Sequence, residues 1–159
     1  KDFLGKRGNS NFEWDDQAKV VELIKLINST DKDLANLFNI TKVKKKLEFV
    51  YCCSLLCEKL LNKFKPKAIV GNLYTDGPTS GLLIAASRLK IPFIEIVNGA
   101  MGDYHWHYTH WTNLSPLGFE AFPNYVWAWD EESKQSIEST RQPNVKLHEA
   151  IVGGNCRVE

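Results

Sequence analysis

The sequence carries almost no surplus of either charge: 20 Lys and Arg against 19 Asp and Glu, a formal net charge of +1. A protein that coats nucleic acid normally shows a basic excess, so no nucleic-acid partner is expected. The one basic run, Lys42-Val43-Lys44-Lys45-Lys46, opens an apolar helical pattern and reads as a solvated first turn. No apolar run reaches the roughly 20 residues that a membrane-spanning helix needs, so peripheral association is the most that is expected at a membrane. Lys1 to Asn11 is polar and lacks the apolar stretch of a secretory signal. Gly71, Gly77 and Gly81 are wrongly spaced for a dinucleotide fingerprint or a P-loop. A G-x-S-x-G nucleophile elbow is absent too, which argues against a serine hydrolase. Cysteine is sparse, four in all. Cys52, Cys53 and Cys57 fall on one predicted helix, where Cys53 and Cys57 share a face. Three thiols on one helix cannot make a disulfide framework, and small hydrophobes in a reducing compartment are the favoured reading. A zinc site is the lesser one, since no histidine stands beside them at ligand spacing.

At 159 residues the chain is long enough to bury a hydrophobic core unaided. Apolar residues at three-and-four spacing predict a helix over Trp14–Ser29. Thr30 or Asp31 is expected to cap a short helix reaching about Phe38, and Thr41 a long one ending at Phe64, where Pro66 stops it. The texture then changes. Short apolar runs bounded by turn residues predict strands at 68–72, 92–97, 125–129 and 147–152. Helices are predicted between them at Pro78–Leu89 and, capped by Asp130, at 131–140. Alternation of strand and helix implies parallel βαβ units. The expected class is therefore α/β, a Rossmann-like three-layer domain with a short parallel sheet over 65–159, preceded by a helical segment over 1–64. Ligands of open parallel sheets bind beyond the carboxyl ends of the strands. All four predicted strands end in small or polar clusters, at Gly71–Gly77, Asn98-Gly99, Trp129-Asp130 and Gly153–Asn155, so the four turns should meet at one rim.

The second of those turns leads into Asn98–Trp111, NGAMGDYHWHYTHW, a density of aromatics and histidines that no surface loop needs in order to fold. Tyr104, Trp106, Tyr108 and Trp111 offer flat apolar faces with polar edges, on which sugar rings can stack. The alternative is that some of these rings plug the top of the sheet. Asp103 and His105 are the expected acid–base pair, a histidine titrating near neutrality and oriented by a carboxylate. Asn72, Tyr74, Asp76, Asn98, Gly99 and His107 are expected to line the cleft. Asp76 stands at a helix start, where it either caps the helix or helps to bind a ligand. His105, His107 and His110 do not share the spacing of a zinc site, and no metal is expected.

Three runs, KPKAIVGNLYTDGPTSGLLIAASRLKIPFIEIVNGAMGDYHWHYTHW, LSPLGFEAFPNYVWAWDEES and AIVGGNCRVE, resemble the N-terminal half of bacterial GT-B-type glycosyltransferases of surface polysaccharide synthesis. The resemblance covers about Lys65 to Glu159. It implies an acceptor-binding domain that faces a second Rossmann-like domain C-terminal to it. That second domain would hold the nucleotide-sugar donor, so no cofactor is expected in this one. A glycan acceptor and a cytoplasmic location, at the inner face of the membrane, are further implications. On this reading the chain is a fragment of a longer enzyme and does not turn over alone. Where the family has a histidine-glycine pair, this chain has Asn98-Gly99, and an asparagine hydrogen-bonds but cannot transfer a proton. The alternatives are a non-catalytic carbohydrate or nucleotide-sugar binding module, or part of a sugar-nucleotide epimerase of the same architecture.

Overall fold

The structure, a computed structural model, describes residues 17–30, 39–72, 75–97, 107–109, 121–139 and 148–155. The chain divides into two compact units, residues 1–49 and 50–159. The division falls inside a helix, upstream of the boundary at residue 64 read from the sequence.

In the first unit, α1 spans Gln17–Thr30. It buries Ile24 and leaves Leu23 and Leu26 exposed. The expected start at Trp14 and the short helix to Phe38 lie outside the described residues. The long helix α2, Ile40–Phe64, begins here. Its cap is Asn39 rather than Thr41: Asn39 Oδ1 accepts the Thr41 N–H at 2.8 Å. Asparagine is among the strongest N-cap residues because its side-chain oxygen satisfies an orphan amide of the first turn.

The second unit holds the rest of α2, which ends at a left-handed Lys65 (φ 48°) whose N–H returns to the Leu61 carbonyl, with Pro66 directly after. Four strands follow, β1 Ile69–Gly71, β2 Phe93–Ile96, β3 Tyr125–Ala128 and β4 Glu149–Val152. Among the described residues two helices connect them, α3 Gly77–Arg88 after β1 and α4 Glu131–Ser139 after β3. All neighbouring strands pair parallel, in chain order β1-β2-β3-β4. The unit is an α/β fold with a four-stranded parallel sheet.

The strand order decides where everything else goes. Each crossover steps one place in the same direction, and crossovers of one hand then lie on one face of the sheet. Leu83 of α3 and Ile137 of α4 accordingly join one buried cluster with Phe93, Val97, Val126, Ala128 and Ala150. The register agrees, since Glu95 pairs with Val126 and Val126 with Ala150, so the inward residues of β2, β3 and β4 share a face. On the opposite face Val70 and Ile151 are exposed. The expected third layer is therefore not supplied by α3 or α4.

Helix α3 is fixed at both ends. Asp76 is its cap, accepting the Thr79 N–H at 2.7 Å, and Pro78 sits in the first turn. At the other end Lys90 is left-handed (φ 57°), its N–H bonds to Ser87 O and Ile91 N–H to Ala86 O. That is a Schellman close, and Ile91 packs with Ala85 and Ala86 as the motif requires. Helix α2 lies against α3 at Gly81. A Cβ there would come within 2.6 Å of Cys53 Cβ and 2.9 Å of Ser54 N. Ser54 is fully buried at this crossing.

Two substitutions test these features by urea denaturation. Gly81→Ala overpacks the α2–α3 crossing and is expected to lower stability by about 1–3 kcal/mol. Lys90→Gly relieves a left-handed backbone and is expected to raise it by about 0.5–1 kcal/mol.

Candidate functional site

Parallel pairing brings the four strand ends to one edge of the sheet, as the turn clusters in the sequence require. Two tryptophans of β3 and its following turn bind this edge together. Trp129 Nε1 donates to the Val97 carbonyl at 3.1 Å, tying the end of β3 to the end of β2. Trp127 Nε1 donates to the Gly154 carbonyl at 2.9 Å, tying β3 to the turn after β4. The indole of Trp127 lies where any side chain at Gly153 would be, so glycine is needed there. Gly154 adopts φ 80°, a conformation that costs a residue with a Cβ.

At the same edge Asp130 opens α4, its Oδ1 accepting the Ser133 N–H at 2.7 Å. Hydrogen bonds from the Ser133 side chain and backbone hold the Asp130 carboxyl below its ordinary value. Asn72, just past β1, is exposed. Asp76 is exposed but has one oxygen committed to Thr79, so capping, the simpler of its two expected roles, is the one seen.

Of the other residues expected in the site, Tyr74, Asn98, Gly99, Asp103, Tyr104, His105, Trp106 and Trp111 lie outside the described residues. So does His110. His107 and Tyr108 are described, and Tyr108 requires a correction. It was expected to present a ring face to a sugar, but it is a core residue, 5% exposed, in the cluster with Phe93, Val97 and Val126. Its hydroxyl donates to Glu95 Oε1 at 3.2 Å. Its ring meets His107 edge-on at 5.9 Å and His148 edge-on at 6.4 Å. A ring enclosed in this way has no open face on which a carbohydrate could stack. The physical reason is that residues 107–109 form a turn, so the alternation of an extended segment does not place their side chains.

The sequence reading missed Glu95 and His148. Glu95 is the lone acid in the strand Phe-Ile-Glu-Ile and is 1% exposed; His148, directly before β4, is 2% exposed. Thr109 is buried as well, at 2% exposed. The available signal was the placement of a carboxylate at an inward position of a strand buried on that face, since such groups are rarely enclosed without a role.

Among the described residues no three His, Cys, Asp or Glu side chains are grouped to hold a metal ion. Burial pushes the Cys53 thiol up, with Cys52 and Asp76 adding to the effect; burial and then Cys53 do the same for Cys57. Both are therefore poor nucleophiles near neutrality. A groove of about 300 Å³, lined by Ser87, Lys90, Ile91, Pro92, Asn124 and Tyr125, opens at the amino edge of the sheet. It lies at the opposite end of the strands from the four turns. Asn124 there serves the fold, accepting the Phe93 N–H on Oδ1 at 2.8 Å. We place the candidate site at the carboxyl edge, because strand ends in an open parallel sheet leave their turns free to shape a ligand cleft.

The Asp130 cap gives a pH signature. A carboxyl depressed in the folded state stabilises in full above its unfolded value, near 3.8, and that contribution is lost as pH falls through the lower folded value. Asp130→Ala is thus expected to denature at lower urea than wild type at neutral pH. The gap should close as the pH is lowered through the acid range, as measured by circular dichroism. A scan against protein-family models, a search of curated proteins and a search of solved structures each find no match to this chain.

Proposed function

We propose that residues 65–159 form the acceptor-binding, Rossmann-like domain of a glycosyltransferase of surface polysaccharide synthesis. The observation that carries this reading is the common carboxyl edge, where four turns of a parallel sheet meet and where the segment rich in aromatics and histidines leaves β2. Its sequence, Asn98–Trp111, belongs to the runs that resemble the GT-B-type enzymes. The donor nucleotide-sugar would sit in a second Rossmann-like domain, and the protein would work in the cytoplasm. No helix among the described residues is long and apolar enough to cross a membrane.

The chemistry sets what the site must do. A bond forms between an acceptor hydroxyl oxygen and the anomeric carbon of the donor sugar. The bond from that carbon to the nucleoside diphosphate breaks, and the hydroxyl proton needs a base. His105, oriented by Asp103, is the base in this reading. Tyr104, Trp106 and Trp111 are the stacking rings, with Tyr108 withdrawn from that set by its burial. Asn72, Tyr74, Asn98, Gly99 and His107 complete the acceptor side.

Asn98 favours a second reading, a non-catalytic module that binds a sugar or nucleotide-sugar. The position that bears a histidine in the family bears a side chain here that cannot carry a proton. The two readings share the binding surface and differ in turnover.

Saturation-transfer NMR against a panel of oligosaccharides tests the shared part. Transfer to at least one glycan is expected, weakened about tenfold, or roughly 1.4 kcal/mol, by Trp106→Ala or Trp111→Ala. Transfer to none of the panel would overturn both readings. Release of nucleoside diphosphate from sugar nucleotides by the full-length protein, lost in His105→Ala, then separates enzyme from binding module.

A further inference from the structure

The groove at the amino edge of the sheet takes no part in the acceptor reading, and all the residues that line it belong to the α/β unit. Ile91 and Pro92 supply an apolar wall, and Ser87, Lys90, Asn124 and Tyr125 bring polar side-chain ends. The only formal charge among them is the Lys90 ammonium.

The backbone around the groove is already occupied. Ile91 N–H bonds to Ala86 O at 2.9 Å, Ile69 N–H to Pro92 O at 2.9 Å, and Asn124 N–H to Phe93 O at 3.0 Å. The carbonyls of Ala85 and Ser87, near the end of α3, are taken up by the N–H groups of Leu89 and Lys90. The side-chain ends are different: among the described residues, Ser87 Oγ, Lys90 Nζ, Asn124 Nδ2 and the Tyr125 hydroxyl make no hydrogen bond. Asn124 shows the polarity that results. Its Oδ1 must face the Phe93 N–H, because only the amide oxygen can accept there. Its remaining polar atom is Nδ2, which donates and cannot accept. Lys90 Nζ is likewise a donor alone, and the two hydroxyls can donate as well. A set weighted so strongly toward donors, around one positive charge, suits an anion with several oxygens.

Lys90 carries a second sign. It is left-handed, φ 57°, at the close of α3, where a glycine would cost less. A side chain is kept there despite that cost, and it is the one cation of the groove. The helix dipole also favours a lysine at this end, as it does at Lys65 after α2. The two explanations differ in whether a ligand binds.

We propose that this groove binds a small molecule bearing a phosphate monoester. Lys90, Asn124 and Ser87 take the phosphate, and Ile91, Pro92 and Tyr125 take the body that carries it. A lysine acts on phosphate as a point charge, whereas planar carboxylate recognition is matched by the fork of an arginine, which the lining lacks. The volume, about 300 Å³, is at the lower limit of small-molecule sites and leaves room for about one ring beside the phosphate. The groove is at the opposite end of the strands from the four turns, so this site stands whether or not the acceptor reading does.

An NMR titration of the isotope-labelled chain tests the site, at fixed ionic strength so that general screening stays constant. Inorganic phosphate and phenyl phosphate are the probes. Both are expected to shift the amides of Lys90, Ile91, Asn124 and Tyr125 saturably, phenyl phosphate at about tenfold lower concentration because its ring is held too. Lys90→Gly is expected to weaken binding at least about tenfold while unfolding at higher urea than wild type, so the loss is not one of folding. Asn124→Asp keeps the oxygen that accepts from Phe93 and replaces the donors with a carboxylate; no binding is expected. Wild type without saturable shifts at these amides, or both variants binding as tightly as wild type, would overturn the proposal and leave Lys90 to the helix dipole. Benzoate binding as tightly as phenyl phosphate would overturn the choice of phosphate. Co-sedimentation with phosphatidylcholine vesicles containing phosphatidic acid separates the two sources of a phosphate monoester. Capture that phenyl phosphate does not reverse would assign the groove to a lipid headgroup and overturn the small molecule.

Discussion

Everything in the α/β unit depends on one topological constraint: four parallel strands hydrogen-bonded in the order in which they occur in the chain. Parallel pairing forbids tight hairpins, so each step must cross from the carboxyl edge back to the amino edge. The right-handed preference of such crossovers follows from strand twist. With no reversal of direction in the strand order, both crossover helices and the turn at residues 107–109 fall on one face. Every strand-to-helix turn falls on one edge. The core and the candidate site are consequences of the same rule, one of which side the connections take and the other of which end they leave from.

That arrangement distributes the tryptophans and glycines in a recognisable way. Trp127 and Trp129 spend their indole N–H groups on the carbonyls of Gly154 and Val97. Carbonyls at the ends of strands have no ladder partner beyond the sheet, and an indole is a donor with no acceptor function, so the pairing leaves no polar group idle. The result is an edge stiffened across three strand ends by side chains rather than by the backbone ladder. Gly81 plays the equivalent part at the crossing of α2 and α3, where absence of a side chain lets two helices approach.

Much of this was legible in the sequence because the signals were local. Asp76 and Asp130 precede helices at the spacing that N-caps require, and both cap. The four strands lie within the limits that apolar runs and turn residues suggest, shortened by a residue or two at their ends, where fraying makes assignment soft. The same locality explains the errors. Thr41 and Asn39 are both good caps, and which one closes the first turn depends on backbone angles that composition does not reveal. The boundary at residue 64 followed a change of texture, whereas the two compact units meet between residues 49 and 50, inside α2. Among the described residues, α3 and α4 cover one face of the sheet, so neither supplies the expected third layer.

Tyr108 and Glu95 show the deeper limit. An aromatic amid histidines after a strand reads as a ligand contact, and the acid within β2 drew no reading at all. The reading of Tyr108 fails because its hydroxyl is taken up by Glu95, thirteen residues earlier in sequence. A buried carboxylate is costly by itself and a buried phenol needs an acceptor; the bond between them satisfies the phenol and one of the two carboxylate oxygens. Once joined they pull the turn at 107–109 down onto the sheet, and the turn then cannot present Tyr108 outward whatever the aromatic density around it suggests. The hydrogen bond between Tyr108 and Glu95 thus keeps one ring of the aromatic run in the core.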